Sequence, residues 1–207
     1  MKNLEIEYKW DGNLPQAFAR MRRAAGPFTE AHQTKKIFLQ DVYLDDEKRT
    51  LRSQKIALRL RCVNGIWEAT LKTRSEVKNG KAMRKEYTLI VGKAKNFAQA
   101  LLLFQAHKKW KNIELKPLRS QFEIRNQRQI YVLNFEGTQT ELALDNFEIR
   151  VLGRRVKMKE IELELKKGCA QQEDALAALL SQQTQLPFAK ISKVRTAEAL
   201  LALWGKR

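Results

Sequence analysis

Two segments near opposite ends of the chain share one pattern, in which glutamates and a lysine alternate with apolar residues. The first reads Glu-Ile-Glu-Tyr-Lys at residues 5–9, and the second reads Glu-Leu-Glu-Leu-Lys at residues 162–166. Glu160 extends the second acidic row by one step. Successive side chains of a strand point to opposite faces. The pattern therefore predicts two strands, each with one charged and one apolar face.

The charge of these rows is opposite in sign to that of the whole chain. The 207 residues include 40 Lys+Arg and 23 Asp+Glu, which gives a formal net charge of +17. Such a balance indicates a polyanionic partner: a nucleic acid, an anionic membrane or a polyphosphate compound. Acidic rows in a basic protein suggest a site for a divalent cation, surrounded by the positive electrostatic potential that would attract an anionic ligand. The alternative is that these faces are simply solvated, as one face of an antiparallel sheet often is.

Composition argues against several other classes of protein. The chain has two cysteines and two histidines, which provide neither a disulfide framework nor metal-ligand spacing. No apolar stretch reaches transmembrane length, and the N-terminus lacks a signal peptide core. We expect a soluble cytoplasmic protein that does not bind membranes. Its oligomeric state is not readable from the sequence.

Helical patterns occur in four places. The first is capped by Asn13, has Pro15 in its first turn and ends at Gly26. The second spans about residues 95–111, the third about 172–183, and the fourth runs from an N-cap at Ser192 to about Trp204. No linker composition interrupts the chain. We expect one domain over residues 1–207, with C-terminal helices at about 172–205 packed on it.

Two hairpins can be given a register. Asn-Gly at residues 64–65 favours a type I′ turn, because both central residues need a positive φ. Counting back pairs Arg61 with Glu68 and Arg59 with Thr70, which makes one face mainly basic. A second hairpin around residues 136–137 pairs Arg128 with Asp145.

A closed barrel satisfies all of these strands at once. Whole strands are acidic or basic, whereas ordinary surfaces mix the two signs along each strand. The charged faces converge if the strands close into an antiparallel barrel, and the apolar faces then point outward under the helices. We therefore expect an α+β fold: a closed antiparallel β-barrel of about eight strands that forms a charged tunnel.

The ordered series of motifs resembles the CYTH superfamily, the triphosphate tunnel metalloenzymes. The resemblance covers nearly the whole chain and is nearest to the CYTH domain of bacterial inorganic triphosphatases. The matching motifs lie at residues 5–9, 41–45, 57–61, 69–72, 84–86, 128–131, 141–145, 160–164 and 192–193. Two basic residues near these motifs have doubtful roles. Arg125 competes with Arg128 for the tunnel arginine, and the spacing of three residues to Tyr131 favours Arg128. Arg195 follows directly on Val194 instead of lying further along.

The resemblance implies a triphosphate site with named residues. Substrate-binding cations are Lys9, Arg59, Arg61, Lys72, Arg84, Arg128 and Lys193. Catalytic residues are Lys9, Glu86, Asp145 and Lys193, in which the two acids order the basic side chains or the attacking water. Metal ligands are Glu5, Glu7, Glu162 and Glu164, because glutamates in an anion site make sense when Mg²⁺ or Mn²⁺, two ions in all, lies between carboxylate and phosphate.

The implied activity is metal-dependent hydrolysis of inorganic triphosphate to pyrophosphate and phosphate. A class IV-type adenylate cyclase and a thiamine triphosphatase would carry the same tunnel residues. A third possibility is a non-catalytic polyphosphate- or RNA-binding protein that uses the basic pairs at residues 35–36, 108–109 and 154–155. The sequence favours a solvated basic surface for those pairs, and nucleic acid is the disfavoured partner.

Overall fold

Long antiparallel strands dominate the fold. The computed structural model describes residues 2–73, 76–107 and 117–205. The strands are β1 Lys2–Asp11, β2 Thr29–Asp45, β3 Ala57–Val63, β4 Ile66–Lys72, β5 Glu76–Lys78, β6 Lys81–Lys93, β7 Arg119–Phe135, β8 Thr138–Val151 and β9 Arg154–Lys167. The helices are α1 Ala17–Ala25, α2 Thr50–Ser53, α3 Phe97–Ala106, α4 Ala170–Thr184 and α5 Lys193–Trp204, with a 3₁₀ turn at Gly26–Phe28.

The sheet closes on itself. Its order is β1-β9-β8-β7-β2-β3-β4-β6, and β1 also pairs with β6. The short strand β5 pairs only with β6, as an extra hairpin outside the ring. Every pairing is antiparallel. The predicted α+β fold with an eight-stranded antiparallel barrel is confirmed.

Turn chemistry fixes the register of both predicted hairpins. Asn64 and Gly65 have positive φ angles of 50° and 79°, as a type I′ turn requires. Arg61 pairs with Glu68 and Arg59 with Thr70. The β7–β8 hairpin pairs Arg128 with Asp145, also as predicted.

Helices cover much of the outward face of the barrel. An apolar cluster under α1 and α4 includes Leu133, Leu142, Leu163 and the fully buried Trp10. A second cluster under α3 includes Leu58, Leu60, Trp67, Ala69 and Phe104. Burial of such side chains stabilises the fold by roughly 1.5–3 kcal/mol each. The expectation that helices cover the apolar outer face is confirmed for α1, α3 and α4.

Helix α5 takes a different position. Its Ala197 and Leu201 pack against Tyr43, Phe122 and Phe147. These ring-bearing residues belong to the inward rows of β2, β7 and β8, because they alternate in step with the tunnel residues Asp41, Ile124 and Asp145. The expectation that α5 packs on the outward apolar face is therefore wrong. The helix closes one end of the barrel from within.

The chain before α5 is tied to β1. The backbone N–H of Asp11 donates to the carbonyl of Pro187 at 3.1 Å, and that of Ala189 donates to Lys9 at 2.9 Å. The Phe188 ring packs on Trp10 with ring centroids 5.5 Å apart. The segment of Pro187 and Phe188 therefore fixes the approach of α5.

Two helix boundaries differ from expectation. Asn13 does not cap α1, because its side chain bonds Asp11 and the backbone N–H of Lys159, and the helix begins only after Gln16. Helix α3 ends at Ala106, and residues 108–111 of the predicted second helix lie outside the described residues, as does the pair at 108–109. Among the residues described, no helix is long and apolar enough to cross a membrane.

Candidate active site in the barrel interior

The barrel encloses a charged cavity of about 370 Å³. Its cationic lining residues are Lys9, Arg59, Arg61, Lys72, Arg84, Arg128, Lys166 and Lys193. Its anionic lining residues are Glu5, Glu7, Asp41, Glu68, Glu86, Glu141, Glu162 and Glu164. The lining therefore holds as many cationic as anionic side chains, interleaved in space.

Strands β2, β3 and β4 form an arginine wall. Asp41 accepts two hydrogen bonds from Arg61, at 2.6 and 2.8 Å, and lies 3.7 Å from Arg59. Burial raises the pKa of Asp41, but Arg61 and Arg59 outweigh it and hold the pKa at about 2. Arg59 also donates to Thr70 at 3.2 Å, while its Nε has no partner. Asp41 thus holds two guanidinium groups side by side, and one keeps a free donor.

Strands β1, β4 and β6 form a second wall of alternating charge. Arg84 binds Glu5 and also donates to Glu7 at 2.7 Å. Lys72 donates to Glu5 at 3.2 Å and contacts Glu86. Burial favours the neutral form of Glu5, but Lys72 and Arg84 lower its pKa below the usual value. For Lys72 the net shift is also downward, because burial and the nearby Arg84 disfavour its charge.

A third group lies where α5 enters the barrel. The Lys193 ammonium is 2.5 Å from Asp145, 2.7 Å from Glu160 and 2.8 Å from Glu162. Ser192 caps α5 by accepting from the Arg195 backbone at 3.3 Å, which sets Lys193 in the first turn. Burial opposes the charge of Lys193, but the carboxylates outweigh it and raise its pKa. The helix start thus inserts one cation into a carboxylate cage.

The same cage is shared with neighbouring strands. Lys9 on β1 binds Glu162 and lies 3.0 Å from Glu7. Arg128 on β7 binds Asp145 at 2.6 and 2.7 Å and contacts Glu162. Burial works against the charge of Glu162, but Lys193 and Lys9 lower its pKa well below the usual value. These contacts keep Glu162 ionised in the interior.

One set of carboxylates has the geometry to hold a metal ion. Asp145, Glu160 and Glu162 each offer an oxygen, and these oxygens lie within 4.8 Å of one another. Carboxylate oxygens are the ligands that hard divalent cations prefer. The three carboxylates surround the Lys193 ammonium in this structure, so the cage already holds one positive charge. Glu7 and Glu164 also lie opposite each other on β1 and β9.

The structure brings the residues predicted from sequence into one cavity. Every predicted site residue except Asp145 lines it, and Asp145 contacts both Arg128 and Lys193. Arg125 does not join them, because it points outward and pairs with Glu123. Arg195 is exposed. The spacing argument that favoured Arg128 over Arg125 is thus supported by position.

Several interior residues were given no role in the sequence analysis, among them Glu160 and Asp41. Glu160 was noted as an extension of the acidic row, and its burial and contact with Lys193 make it part of the cage. Asp41 was named within a motif, and it lies opposite Arg61 across the β2–β3 pairing. The sequence did contain a signal for Asp41. It shares one face of its strand with Tyr43, and that strand lies beside the basic row of Arg59 and Arg61.

A closed antiparallel barrel with cations and carboxylates interleaved along its interior defines a tunnel protein for anionic ligands. The CYTH domain family model matches residues 3–197. The chain therefore belongs to the CYTH family.

Solved structures of similar fold come from distant organisms. HpAC1 from Hippeastrum, a proposed adenylyl cyclase with a dominant triphosphatase activity, superposes with a TM-score of 0.69 at 20% identity, over 94% of this chain and 95% of that one. A proposed adenylate cyclase from Bacillus halodurans gives 0.58 at 20% identity, over 94% and 97%. The mimivirus capping enzyme triphosphatase gives 0.53 at 11% identity, over 88% and 90%. At these identities the likeness concerns the fold alone.

Proposed function

We propose that this protein is a metal-dependent triphosphatase that hydrolyses inorganic triphosphate to pyrophosphate and phosphate. The observation that carries the proposal is the interleaving of cationic and anionic side chains around a cavity of about 370 Å³. A site for an anion alone would exclude carboxylates, since they repel it. A site for a metal alone would not need the arginines. A polyphosphate with its metal ions accounts for both sets.

The cationic side chains are suited to phosphate oxygens. Arginine presents a planar fork that binds phosphate oxygens in pairs, whereas lysine acts as a compact point charge. Arg59 has a buried Nε without a partner, so one of its donors is available to a ligand. Lys9, Lys72 and Lys193 supply point charges deeper in the barrel. Lys193 also stands at the start of α5, where the helix dipole favours negative charge.

The carboxylates fit one or two hard divalent cations. We assign Glu5, Glu7, Glu162 and Glu164 as metal ligands, and the cage of Asp145, Glu160 and Glu162 offers further oxygens. When bound, Mg²⁺ or Mn²⁺ would neutralise phosphate charge and lower the pKa of a coordinated water. The protein side chains would orient the phosphates and exclude bulk water. Glu86 and Asp145 would hold Lys72 and Arg128 in place for that purpose.

A second candidate is hydrolysis or cyclisation of an organic triphosphate. The cavity lining also includes the apolar side chains Ile37, Val63 and Ile130. Tyr43 on β2 packs against α5, which closes one end of the barrel. Ile37 lies three inward-facing positions further along the same strand, so the apolar side chains lie away from the closed end. An organic substituent of a triphosphate would meet them. The bare triphosphate remains the leading substrate because it needs no such contact.

The test is release of phosphate and, separately, of pyrophosphate from tripolyphosphate, thiamine triphosphate and ATP, each with Mg²⁺, with Mn²⁺ and with a chelator, because cyclisation of ATP would release pyrophosphate and no phosphate. We expect the highest kcat/KM for tripolyphosphate and no turnover with chelator. Faster turnover of an organic triphosphate would transfer the assignment to the second candidate. Chelator-resistant hydrolysis would contradict the metal role.

A further inference from the structure

The positive charge of this protein lies outside its tunnel. The formal net charge of the chain is +17, yet the cavity lining holds as many cationic as anionic side chains. The surplus therefore belongs to residues outside the cavity lining. A triphosphate site does not account for it, so the distribution of the outer charge needs its own explanation.

Part of the surplus is concentrated on one uncovered region of the barrel. We call this region the outer basic face and define it by Phe38, Arg125, Arg150, Arg155, Lys157 and Lys159. Strand pairing places Lys159 opposite Asn146, Lys157 opposite Glu148 and Arg155 opposite Arg150. Further pairing places Glu148 beside Arg125, and Asn146 beside the row of Gln127 and Phe38. The face is thus a continuous patch across β2, β7, β8 and β9.

These side chains point away from the tunnel. Lys157 and Lys159 alternate with Met158 and Glu160, which face the interior. Arg155, Lys157 and Lys159 are exposed, and the Phe38 side chain is 52% exposed. Helix α4 covers a neighbouring part of β8 and β9 around Leu142 and Leu163, and α5 lies inside the barrel end. Helix α1 borders the patch at Lys159, whose ammonium lies 5.6 Å from the centre of the Phe18 ring, and the described helices leave the rest of the patch open.

The acidic residues on the face are already neutralised by neighbours. Glu148 accepts from Arg150, while Glu123 accepts from Arg125 at 2.8 Å and from Gln40 at 2.6 Å. Arg150 and Arg155 stand directly opposite each other. Like charges opposite each other across two strands are destabilising. Because Arg150 already pairs with Glu148, an anionic ligand would offset this repulsion chiefly through Arg155.

We propose that the outer basic face binds the backbone of a single-stranded nucleic acid. Arg155, Lys157 and Lys159 follow one another every second residue along β9, so their Cα atoms are spaced about 6.7 Å apart. Such a row can contact successive phosphates. The exposed Phe38 ring offers a stacking surface, and the neighbouring amides of Gln127 and Asn146 offer hydrogen bonds. Sequence-tolerant single-strand binding uses this combination of cations with aromatic rings.

The structure revises the sequence-based interpretation of one basic pair. In that interpretation, the pair at residues 154–155 was taken as solvated charge. In the structure the two residues separate: Arg154 lies over the Trp204 ring at 5.3 Å, while Arg155 joins the patch. An anionic membrane would also attract the patch, but amides and a single exposed ring favour nucleic acid over a lipid surface.

The test compares two triple variants that lose the same charge. One is Arg155→Gln/Lys157→Gln/Lys159→Gln, and the control is Lys48→Gln/Lys55→Gln/Lys95→Gln, whose three lysines are also exposed. Binding of a labelled single-stranded oligonucleotide is measured by fluorescence anisotropy across a salt series. The same proteins are sedimented with vesicles containing phosphatidylserine. Tripolyphosphate hydrolysis is measured as a check on the tunnel, which neither variant touches.

We expect the first variant to lose affinity at least tenfold and to reduce the slope of log K against log salt by about 2, since each cation contributes about 0.7 for a single strand. The control should retain the wild-type slope to within about 0.5. Equal losses in both variants would show that total charge, not this face, determines binding. Binding to vesicles but not to the oligonucleotide, or to neither, would overturn the proposal. Neither result depends on whether the tunnel hydrolyses triphosphate.

Discussion

Asp41 illustrates how single ion pairs shape the interior. Two guanidinium groups that approach each other repel, and the buried carboxylate between them offsets that repulsion. Removing one partner of a buried charged group costs more than the pair contributes, because the other charge remains unpaired. Arg61 is held firmly by this contact, whereas Arg59 keeps a buried Nε without a partner. Arg59 is therefore the better placed of the two to bind a ligand.

We expect Arg59→Ala to lower kcat/KM for tripolyphosphate by about 10- to 150-fold, because a hydrogen bond to a charged group contributes roughly 1.5–3 kcal/mol. Arg154→Ala is the control, since Arg154 is exposed and its one described side-chain contact is with the Trp204 ring, away from the charged cavity lining. Steady-state phosphate release measures both. Equal damage from the two substitutions would contradict the assignment of Arg59 to the tunnel.

Glu173 is a buried acid that lies outside the tunnel. It occupies the first turn of α4, its side chain is fully buried, and neither carboxyl oxygen has a hydrogen-bond partner among the residues that the structure describes. Burial raises the pKa of Glu173 to about 8 from 4.5, although Lys81 opposes the shift. The folded protein therefore keeps this proton at pH values where the unfolded chain releases it.

The shift predicts a pH dependence of stability. Between about pH 4.5 and 8 the folded state binds more protons at Glu173 than the unfolded state, so its contribution to stability falls as pH rises. Below about pH 4.5, Glu173 is protonated in both the folded and the unfolded state, so it no longer makes the free energy of unfolding depend on pH. In Glu173→Gln, the free energy of unfolding from urea titrations should fall less between pH 5 and 8 than in the wild type. Parallel pH profiles for the two proteins would refute the buried, protonated state of Glu173.

At the scale of elements, α5 combines packing with charge. Leu201 is 7% exposed and contacts the ring cluster inside the barrel end, whereas Leu203 on the same helix is 64% exposed. One side of the helix therefore closes the barrel. Its first turn carries Lys193 into the carboxylate cage, so packing and site geometry depend on the same element.

The orientation of α5 can be tested with two leucines. Leu201→Ala should destabilise the protein by about 2–4 kcal/mol, because it leaves a cavity among the rings. Leu203→Ala should change stability by less than about 0.5 kcal/mol. Urea unfolding measures both. The reverse order of effects would mean that the other side of the helix faces the barrel.

Lys193 links the helix to the site. We expect Lys193→Ala to abolish most turnover and to lower the Tm in metal-free buffer, because Asp145, Glu160 and Glu162 lose their shared cation. Mg²⁺ should raise the Tm of this variant more than that of the wild type. The control is Arg195→Ala in the same turn, whose side chain is exposed. A Lys193→Ala enzyme with normal turnover would show that α5 is only a cover.

The registers of two hairpins, β3–β4 and β7–β8, were readable from sequence, and the reason is local. The Asn64-Gly65 turn fixes the pairing of β3 with β4, and alternation then assigns each side chain to a face. Arg59, Arg61, Arg128 and Asp145 could be placed on inward faces by counting alone. The barrel was inferred from strands that are mainly acidic or mainly basic, although the inward rows of β4 and β6 each carry both signs in the structure.

Other features could not be predicted from the sequence, because they depend on how distant segments pack in the folded protein. The apolar side chains of α5 could pack on either face, and only the barrel geometry shows that the end opening is wide enough for a helix. Asn13 has the right chemistry for an N-cap, yet a backbone donor from β9 competes for it. The pairing of Asp41 with two arginines required the β2–β3 register, which no short turn specifies.

On the scale of the whole molecule, closure of the sheet creates the site. The pairing of β1 with β6 joins the first strand to the middle of the chain, and its pairing with β9 joins it to the end. Glu5 and Glu7 on β1 thereby face Arg84 on one side, while Lys9 reaches Glu162 on the other. The cavity lining is charge-balanced, Asp145 and Glu160 add two further buried carboxylates, and the net positive charge belongs to residues outside the tunnel.

The central claim is that the barrel interior is the active site of a metal-dependent triphosphatase. The direct test is phosphate release from tripolyphosphate at saturating Mg²⁺ or Mn²⁺ by Glu7→Gln and Glu164→Gln, beside circular dichroism spectra. The control is Glu47→Gln, because the Glu47 side chain is 78% exposed. We expect both interior variants to lose at least 100-fold in turnover, or about 2.7 kcal/mol, with unchanged spectra and a fully active control. Near-normal turnover in both interior variants would contradict the claim.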